Sequence, residues 1–375
     1  MSSRRLVSTS ALALGLLGLA LLSAFVLGTG RLSVTLAWVT HTPNAPGSPT
    51  APTLSQKATL APTHATPPSP SPMPATPTPT PTELPTVTPS PTASPTATPF
   101  ATVGAETFGG ARGLVFVSDR DGNPEIYRMA VNGAELRRLT FSEADDLSPR
   151  WSPDGRFIVF RANRNRLRPD LYLMQADGAR QQRLTFDTSF NEFPSFSPDG
   201  QWILFDSDAS GRFQLYRMRP DGSEVQRLTD SAGDDAVAAW SPDGSRIAFQ
   251  SRRESDAYQI FVMNADGSDA VRLTQTLARN DHPAWSPDGQ QLAFVSERDG
   301  PRALYVMRAD GTDQRRILGN FGSIRIPRWS PDGQWILFGS NPHGNFDLFA
   351  VRADGSEIRQ LTTHPANDYS GDWQP

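Results

Sequence analysis

Short apolar runs separated by polar turn residues recur along residues 104–375, in an order that repeats about every 44 residues. In the clearest copy a first run ends at Trp240, and three more follow at residues 246–249, 259–263 and 271–274. Runs of β-branched and aromatic residues bounded by Gly, Pro, Asp and Ser are typical of β-strands. The pattern therefore predicts four strands in each repeat.

A turn with a defined mechanism separates the first predicted strand from the second. Its sequence is Trp-Ser-Pro-Asp-Gly, in which Pro presets φ, Ser and Asp can bond nearby backbone, and Gly accepts a positive φ. We call the aromatic residue before each Ser-Pro-Asp-Gly the anchor aromatic; the equivalent residue near the end of the chain has no turn after it. The six anchor aromatics are Trp151, Phe196, Trp240, Trp285, Trp329 and Trp373. The steps of 45, 44, 45, 44 and 44 residues are the fixed period of a repeat protein. An Asp-Gly or Asn-Gly pair with the same spacing predicts a hairpin between the third and fourth strands.

The two ends of the repeat region predict the number of repeats and how they close. The first copy starts at its second strand, residues 113–117, and the last copy stops at residues 368–374, where a second strand would follow. Residues 368–374 are therefore expected to form the innermost strand of the first blade. Four strands per repeat and a span of six periods predict an all-β fold, a six-bladed β-propeller of four-stranded antiparallel blades.

These motifs resemble the WD-repeat-like, Pro-Asp repeats of the TolB-type β-propeller family. The shared pattern is Pro-x-Trp-Ser-Pro-Asp-Gly, then apolar-apolar-Phe, Ile/Leu-Tyr/Phe-x-Met, Asp-Gly and Arg-x-Leu-Thr, over residues 113–375. Two positions depart from it: Phe196 replaces Trp, and Ile-Leu-Gly at residues 317–319 replaces Leu-Thr. TolB-like proteins carry an α/β domain ahead of the propeller, whereas a Pro-Thr segment stands there in this chain. The resemblance thus implies the fold rather than a Tol–Pal role, because one fold hosts many functions.

Residues 1–30 are predicted to form a signal-anchor transmembrane helix or a signal peptide. Arg4 and Arg5 precede an apolar run over residues 6–27, and 22 residues in a helix span ~33 Å, enough for a hydrocarbon core. Small residues at 28–30 leave cleavage open as the alternative. The paired arginines favour a cytoplasmic N-terminus. The predicted location is thus the cell membrane, with the propeller periplasmic or at the cell surface, or secretion if the segment is cleaved.

Residues 31–103 are predicted to be a Pro/Thr-rich disordered stalk. Between residues 42 and 99 there are 18 Pro and 15 Thr, and only Lys57 and Glu83 carry charge. Pro-Thr alternation neither pairs as a strand nor continues as a helix, and it favours extended polyproline II. Two interpretations stay open, a stalk bearing O-linked sugars and an unmodified spacer.

Composition and motifs exclude several classes of function. The net charge of −4 gives no basic footprint for nucleic acid, and the absence of Cys removes thiol chemistry. No Gly-x-Ser-x-Gly elbow or His-Glu-x-x-His helix is present. His282, His343 and His364 share no repeat position, and residues 119–122, half of a calcium loop, are explained by a hairpin. We predict no catalytic residue, no metal and no cofactor.

One repeated polar position is a candidate binding site. Five residues before each anchor aromatic stand Asp146, Asn191, Asp235, Asn280, Ile324 and Asp368. The chain crosses there from an outer strand to the next inner strand, so we expect all six to circle one mouth of the central channel. Asp and Asn can bond local backbone in such crossings. The alternative is a polar, anionic rim in which the five polar residues bind a ligand.

The function predicted from the sequence is an exported, membrane-anchored binding or scaffold module without enzymatic activity. Its partner would be a protein segment or a cell-envelope polymer at the channel mouth, and the propeller is expected to be monomeric. The alternative is a lyase or glycosidase acting at that mouth, which would need convergent His or carboxylate side chains. A third interpretation is a purely structural head.

Overall fold

The computed structural model describes residues 11–13, 20–26, 32–36, 108, 110–165 and 168–375. The chain divides into two compact units, Met1–Pro85 and Thr86–Pro375. In the first unit, three strands form an antiparallel sheet in the order β1-β2-β3: β1 Ala11–Ala13, β2 Ala20–Val26 and β3 Leu32–Leu36.

Strands β1 and β2 lie where the sequence predicts a membrane helix, and β3 lies in the first residues of the predicted disordered stalk. An unbroken apolar run satisfies its backbone either in a helix or by pairing with a neighbouring strand, and periodicity does not separate the two. The described part of the chain contains no helix long and apolar enough to cross a bilayer. Most of residues 1–30, and residues 37–103 of the stalk, lie outside the described residues, so the anchor and the stalk stay predictions.

The second unit is a six-bladed β-propeller with four antiparallel strands in each blade. The strands of blades 1 to 3, from β4 onward, are β4 Gly113–Ser118, β5 Glu125–Ala130, β6 Arg137–Arg138, β7 Asp146–Trp151, β8 Phe157–Ala162, β9 Asp170–Gln175, β10 Gln182–Arg183, β11 Asn191–Phe196, β12 Ile203–Ser207, β13 Gln214–Met218 and β14 Gln226–Arg227. Those of blades 4 to 6 are β15 Asp235–Trp240, β16 Arg246–Ser251, β17 Gln259–Asn264, β18 Val271–Arg272, β19 Asn280–Trp285, β20 Gln291–Ser296, β21 Ala303–Arg308, β22 Arg315–Leu318, β23 Arg325–Trp329, β24 Trp335–Ser340, β25 Asp347–Arg352 and β26 Ile358–Gln360. The predicted fold class is confirmed for this unit.

The ring closes through the last strand, β27 Asp368–Trp373, which pairs with β4 as the innermost strand of blade 1. The Trp373 ring packs at 5.2 Å from Phe108, and its indole nitrogen donates to the Arg328 carbonyl in blade 6 at 3.2 Å. The last strand therefore joins blade 6 to blade 1, as the two incomplete ends of the repeat region predict.

The Ser-Pro-Asp-Gly turns work as their residue types predict. In blade 4 the Ser241 hydroxyl donates to Asp243 at 2.5 Å and accepts from the Arg246 amide at 2.9 Å, and Asp243 accepts from the Ser245 amide at 3.1 Å. Gly244 has φ +71°, a conformation that only glycine adopts without strain. The same bonds recur in the other four intact turns.

The core consists of side chains packed between neighbouring blades. One cluster joins Val115, Ile126 and Leu139 of blade 1 to Trp151 and its neighbours in blade 2. The phenylalanines of the second strands are at most 2% exposed, as predicted: Phe116, Phe160, Phe205, Phe249, Phe294 and Phe338. Each blade thus buries its aromatic face against the next.

Every inner strand carries a β-bulge at its third or equivalent residue. The residues in the bulges have φ between +46° and +54°: Ser148, Phe193, Val237, His282, Ile326 and Ser370. A left-handed backbone is an outlier for Val and Ile, so the ring of blades must hold it in place. The bulge interrupts the pairing with the second strand in all six blades. It changes which side chains face the channel.

Candidate functional site

The five predicted rim residues stand at the starts of the inner strands, and all are fully buried. Asp146, Asn191, Asp235, Asn280 and Asp368 are 0% exposed, and so is Ile324 in the sixth blade. Their side chains point into the blades. Whether they contact a ligand stays a prediction, because what the structure shows at these positions is bonding within the blades.

The three carboxylates pair with arginines in the loop after the second strand. Asp235 lies 2.8 Å from Arg253 and also accepts the Ser251 hydroxyl at 2.6 Å. Asp146 pairs with Arg164 at 2.5 Å, and Asp368 pairs with Arg120 at 2.9 Å. The sequence interpretation of local backbone bonds missed these arginines. Their signal was an Arg two residues after the second strand, found only in repeats whose rim residue is polar.

The paired arginines are also packed on aromatic rings of their own blade. The Arg253 guanidinium lies 5.0 Å from the Phe249 ring and 5.2 Å from the Phe261 ring. In blade 5, Asn280 replaces the carboxylate and accepts from Arg298 at 2.9 Å. Blades 3 and 6 have Ala209 and Pro342 in place of the arginine, and there the rim residue carries no charge. A charged rim residue therefore occurs only in blades that supply this arginine.

The surface of this channel mouth is formed by other side chains. We call the entry mouth the cavity of about 430 Å³ at the ends where the inner strands begin. Its lining is Leu147, Ser148, Arg161, Phe193, Arg279, His282, Arg302, Arg325, Ile326, Tyr369 and Ser370. Four of these are arginines and none is acidic. The eleven lining residues come from blades 1, 2, 3, 5 and 6, and only closure of the ring brings these blades together.

Two arginines and His282 of the entry mouth gather on one buried carboxylate behind the lining. Asp281 lies 2.7 Å from His282 Nδ1, 2.6 Å from Arg302 and 2.5 Å from Arg279. Burial acts to raise the pKa of Asp281, but His282, Arg302 and Arg279 outweigh it and lower that pKa to about 2. The carboxylate is thus ionised, and Arg302 also lies 3.5 Å from Glu297.

The remaining two arginines differ in their partners. Arg161 pairs with Glu192 at 3.3 Å. Arg325, by contrast, has no carboxylate within 4.0 Å among the described residues. Its side chain is exposed, and its guanidinium packs over the Phe346 ring at 4.6 Å. Burial raises the pKa of Asp206, behind the mouth, well above its usual value and favours its neutral form. The side chains that line the entry mouth are therefore cationic, and the carboxylates that pair with three of its four arginines lie outside the lining.

The predicted candidates for metal chemistry do not come together. His282 lines the entry mouth, whereas His364 lines a separate cavity beside Arg120 and Leu136. Asp119 accepts from the amide and side chain of Asn367 at 2.8 and 2.7 Å. No three His, Asp or Glu side chains of the described residues are placed to hold a metal ion.

A cleft lies between blades 2 and 3, beside the one anchor aromatic that is not Trp. Phe196 is half-buried, as is Trp240, whereas Trp151 and Trp285 in the same position are 6% and 7% exposed. The cleft has a volume of about 670 Å³ and is lined by Pro153, Phe157, Leu173 and Pro198, among others. The aspartates that line the cleft lie in turns. The cleft therefore offers mainly apolar surface, without a group of polar side chains free to bind a ligand.

Comparison with known proteins identifies the repeat type. The family model described as TolB beta propeller domain matches residues 147–255 and 230–320. A protein TolB homolog of Chlorobium luteolum is 47% identical over 47 residues, which are 12% of this chain and 11% of that protein. Because the match spans about a tenth of either protein, it supports the identity of the repeat and says nothing of the rest of the relative.

Solved structures show the same fold. TolB from Acinetobacter baumannii aligns with a TM-score of 0.64 and 23% identity, over 72% of this chain and 67% of that chain. The putative TolB from Agrobacterium tumefaciens aligns with a TM-score of 0.58 and 20% identity, over 71% of this chain and 100% of that chain. At this identity the likeness extends to the fold alone.

Proposed function

Because this propeller is built from TolB-type β-propeller repeats, we propose that the protein is a non-enzymatic binding module that holds an acidic segment of a partner protein at its entry mouth. The observation that carries the proposal is the group of four arginines around a 430 Å³ cavity with no acidic lining. Guanidinium groups pair with carboxylates through two parallel hydrogen bonds, which gives both affinity and orientation.

Two features of the entry mouth favour a protein segment over a simple ion. Phe193 and Tyr369 stand among the arginines, and aromatic residues with Arg are the side chains enriched at protein interfaces. Arg325 is exposed and has no acidic partner among the described residues, so a ligand carboxylate can reach it without first breaking an ion pair. The arginines thus supply charge and the rings supply contact area.

The enzymatic alternative fits the entry mouth less well. A lyase or glycosidase needs carboxyl or His groups that exchange protons with the substrate. Asp281 is 1% exposed and held by Arg279, Arg302 and His282, which lower its pKa to about 2, so it cannot act as a proton donor near neutral pH. His282 is its immediate partner. His282 still lines the mouth, but among the described residues no carboxyl group and no second His lines it to complete an acid–base pair.

Binding of an acidic segment predicts a specific loss when Arg325 is changed. With a fluorescent Glu-rich peptide as the probe and the full-length chain, Arg325→Glu is expected to weaken binding at least about tenfold at low salt, a loss of about 1.4 kcal/mol. Fluorescence anisotropy measures the dissociation constants. The effect should shrink as salt screens the charges.

The matched control is Arg156→Glu, which makes the same charge change at a side chain 74% exposed in a turn. It is expected to leave affinity unchanged, and a Lys-rich peptide is expected not to bind the wild type. Equal affinity of the two Glu variants for the acidic peptide would contradict the proposal.

We further propose that the module is exported and anchored through residues 6–27. The support is the sequence, with Arg4 and Arg5 ahead of an apolar run long enough to span a bilayer. The full chain with a C-terminal tag is expected in the carbonate-washed membrane pellet of expressing cells, and protease added to spheroplasts is expected to remove the tag. Arg4→Glu with Arg5→Glu should protect a fraction of the tag. A wild-type tag protected from protease would reject export, and a shortened soluble chain would identify a cleaved signal.

A further inference from the structure

A second ring of side chains faces the channel nearer its other end. It consists of the residues directly before the anchor aromatics: Arg150, Ser195, Ala239, Ala284, Arg328 and Asp372. All six line one cavity of about 240 Å³, on the side where the Ser-Pro-Asp-Gly turns lie. We call it the turn-side cavity. Three neighbouring blades place charged groups in this ring, and the other three place small residues there.

The charges in this ring do not balance. Asp372 belongs to blade 1 and stands between Arg150 of blade 2 and Arg328 of blade 6. Its carboxylate lies 3.9 Å from Arg328 Nε and accepts the Trp151 amide at 3.0 Å. Among residues 110–165 and 168–375, no other carboxylate lies within 4.0 Å of either guanidinium. Two cations, the buried Arg150 and the half-buried Arg328, thus have one carboxylate between them.

Each guanidinium has donors that the protein does not use. Arg150 is 5% exposed, and its one hydrogen bond within the described residues is from Nη1 to the Pro149 carbonyl at 2.7 Å. Arg328 likewise donates from Nη1 to the Pro327 carbonyl at 3.0 Å. The Ser195 hydroxyl, across the ring, is buried and has no hydrogen-bond partner in the described chain. Burial of the site, with Arg150 adding to it and Asp372 opposing it, lowers the pKa of Arg328 to about 9, which leaves it charged at neutral pH.

A buried cation without a counter-charge destabilises a fold, and proteins normally pair it. The short side chains of Ala239 and Ala284 leave space in the turn-side cavity, which Arg150 and Arg328 also line. A group with two or more oxygens placed there would accept from both guanidinium groups, the geometry that Arg favours for carboxylate and phosphate.

We propose that the turn-side cavity is a binding site for a single oxyanion group, a carboxylate or a phosphate, held by Arg150 and Arg328. The site is independent of the ligand proposed for the entry mouth, because it uses other residues at the other end of the channel. Asp372 sets its selectivity, since it cancels one positive charge and leaves the site suited to one small anion.

The test is the melting temperature of the full-length protein with increasing phosphate, or acetate, at ionic strength held constant with chloride. Phosphate at about ten times its dissociation constant is expected to raise the wild-type melting temperature by about 3 °C. A response to phosphate alone or to acetate alone would identify which oxyanion the site prefers. Arg328→Met is expected to abolish the response and, without oxyanion, to melt at or above the wild-type temperature, because Arg150 then balances Asp372.

Arg150→Met should behave in the same way, and Arg156→Met, which removes an exposed guanidinium, should keep the full response. Since phosphate stabilises many proteins by exclusion from their surface, the response is the difference between wild type and Arg328→Met. A wild-type response equal to that of Arg328→Met would overturn the proposal. So would an Arg328→Met protein that melts well below wild type or does not fold, because the two arginines would then be structural.

Discussion

Deletion of residues 368–375 is expected to abolish cooperative folding of the propeller. The deletion removes β27 and leaves the inner edge of β4 unpaired beside the channel. It removes Trp373 from its packing on Phe108, a loss of about 3–5 kcal/mol by itself. It also leaves Arg120 without Asp368, which adds a cost of similar size. Together these approach the 5–15 kcal/mol that stabilises a typical domain.

Heat and urea unfolding followed by circular dichroism and Trp fluorescence measure the outcome. The truncated chain is expected to aggregate or to unfold gradually, whereas deletion of Pro375 alone, an exposed residue, should leave the transition unchanged. A truncated chain that melts cooperatively within a few degrees of wild type would show that the last strand is dispensable for closure.

Replacement of Asp235 by Ala is expected to destabilise the propeller by about 3 kcal/mol. The carboxylate is fully buried, and its loss leaves the Arg253 guanidinium and the Ser251 hydroxyl without their acceptor. Breaking a buried pair by removing one partner typically costs about 3–5 kcal/mol. The low end applies here, because Arg253 is 18% exposed and retains its contacts with Phe249 and Phe261.

Two further variants test whether the loss of stability comes from the buried Asp235–Arg253 pair or from any substitution in this part of the propeller. Asp235→Asn keeps an oxygen that can accept from Arg253, as Asn280 does from Arg298, and is expected to cost less than Asp235→Ala. Asp230 forms an ion pair with Arg227, and its own carboxylate is 85% exposed. Asp230→Ala should therefore lower the free energy of unfolding by less than about 1 kcal/mol. Urea unfolding gives the free energies. Equal losses in Asp235→Ala and Asp230→Ala would mean that burial of the rim pair does not matter.

The rim position shows how far repeat reasoning extends toward a site. The register correctly marked residues such as Asp146 and Asp235 as equivalent, since equivalent residues of a repeat occupy equivalent places in the ring. It did not show that Arg164 and Arg253 face them, because those arginines lie in a different loop of the blade. At these positions the structure shows ion pairs within the blades, and the side chains that line the mouth are cationic, whereas ligand binding by the rim residues stays a prediction.

The sequence by itself determined the propeller: its turns, the four strands of each blade, the number of blades and the closure by β27. These follow from local chemistry repeated at a fixed period, such as the Pro and Gly of each turn, and need no knowledge of distant contacts. Only the tertiary structure decided the charges of the channel. The entry mouth and the turn-side cavity combine residues from blades far apart in the chain, such as Arg161 with Arg325 and Arg150 with Arg328, and the inner-strand bulges influence which of them face inward. Charge in a buried site depends on such neighbours, because pairing and burial act through space rather than along the sequence.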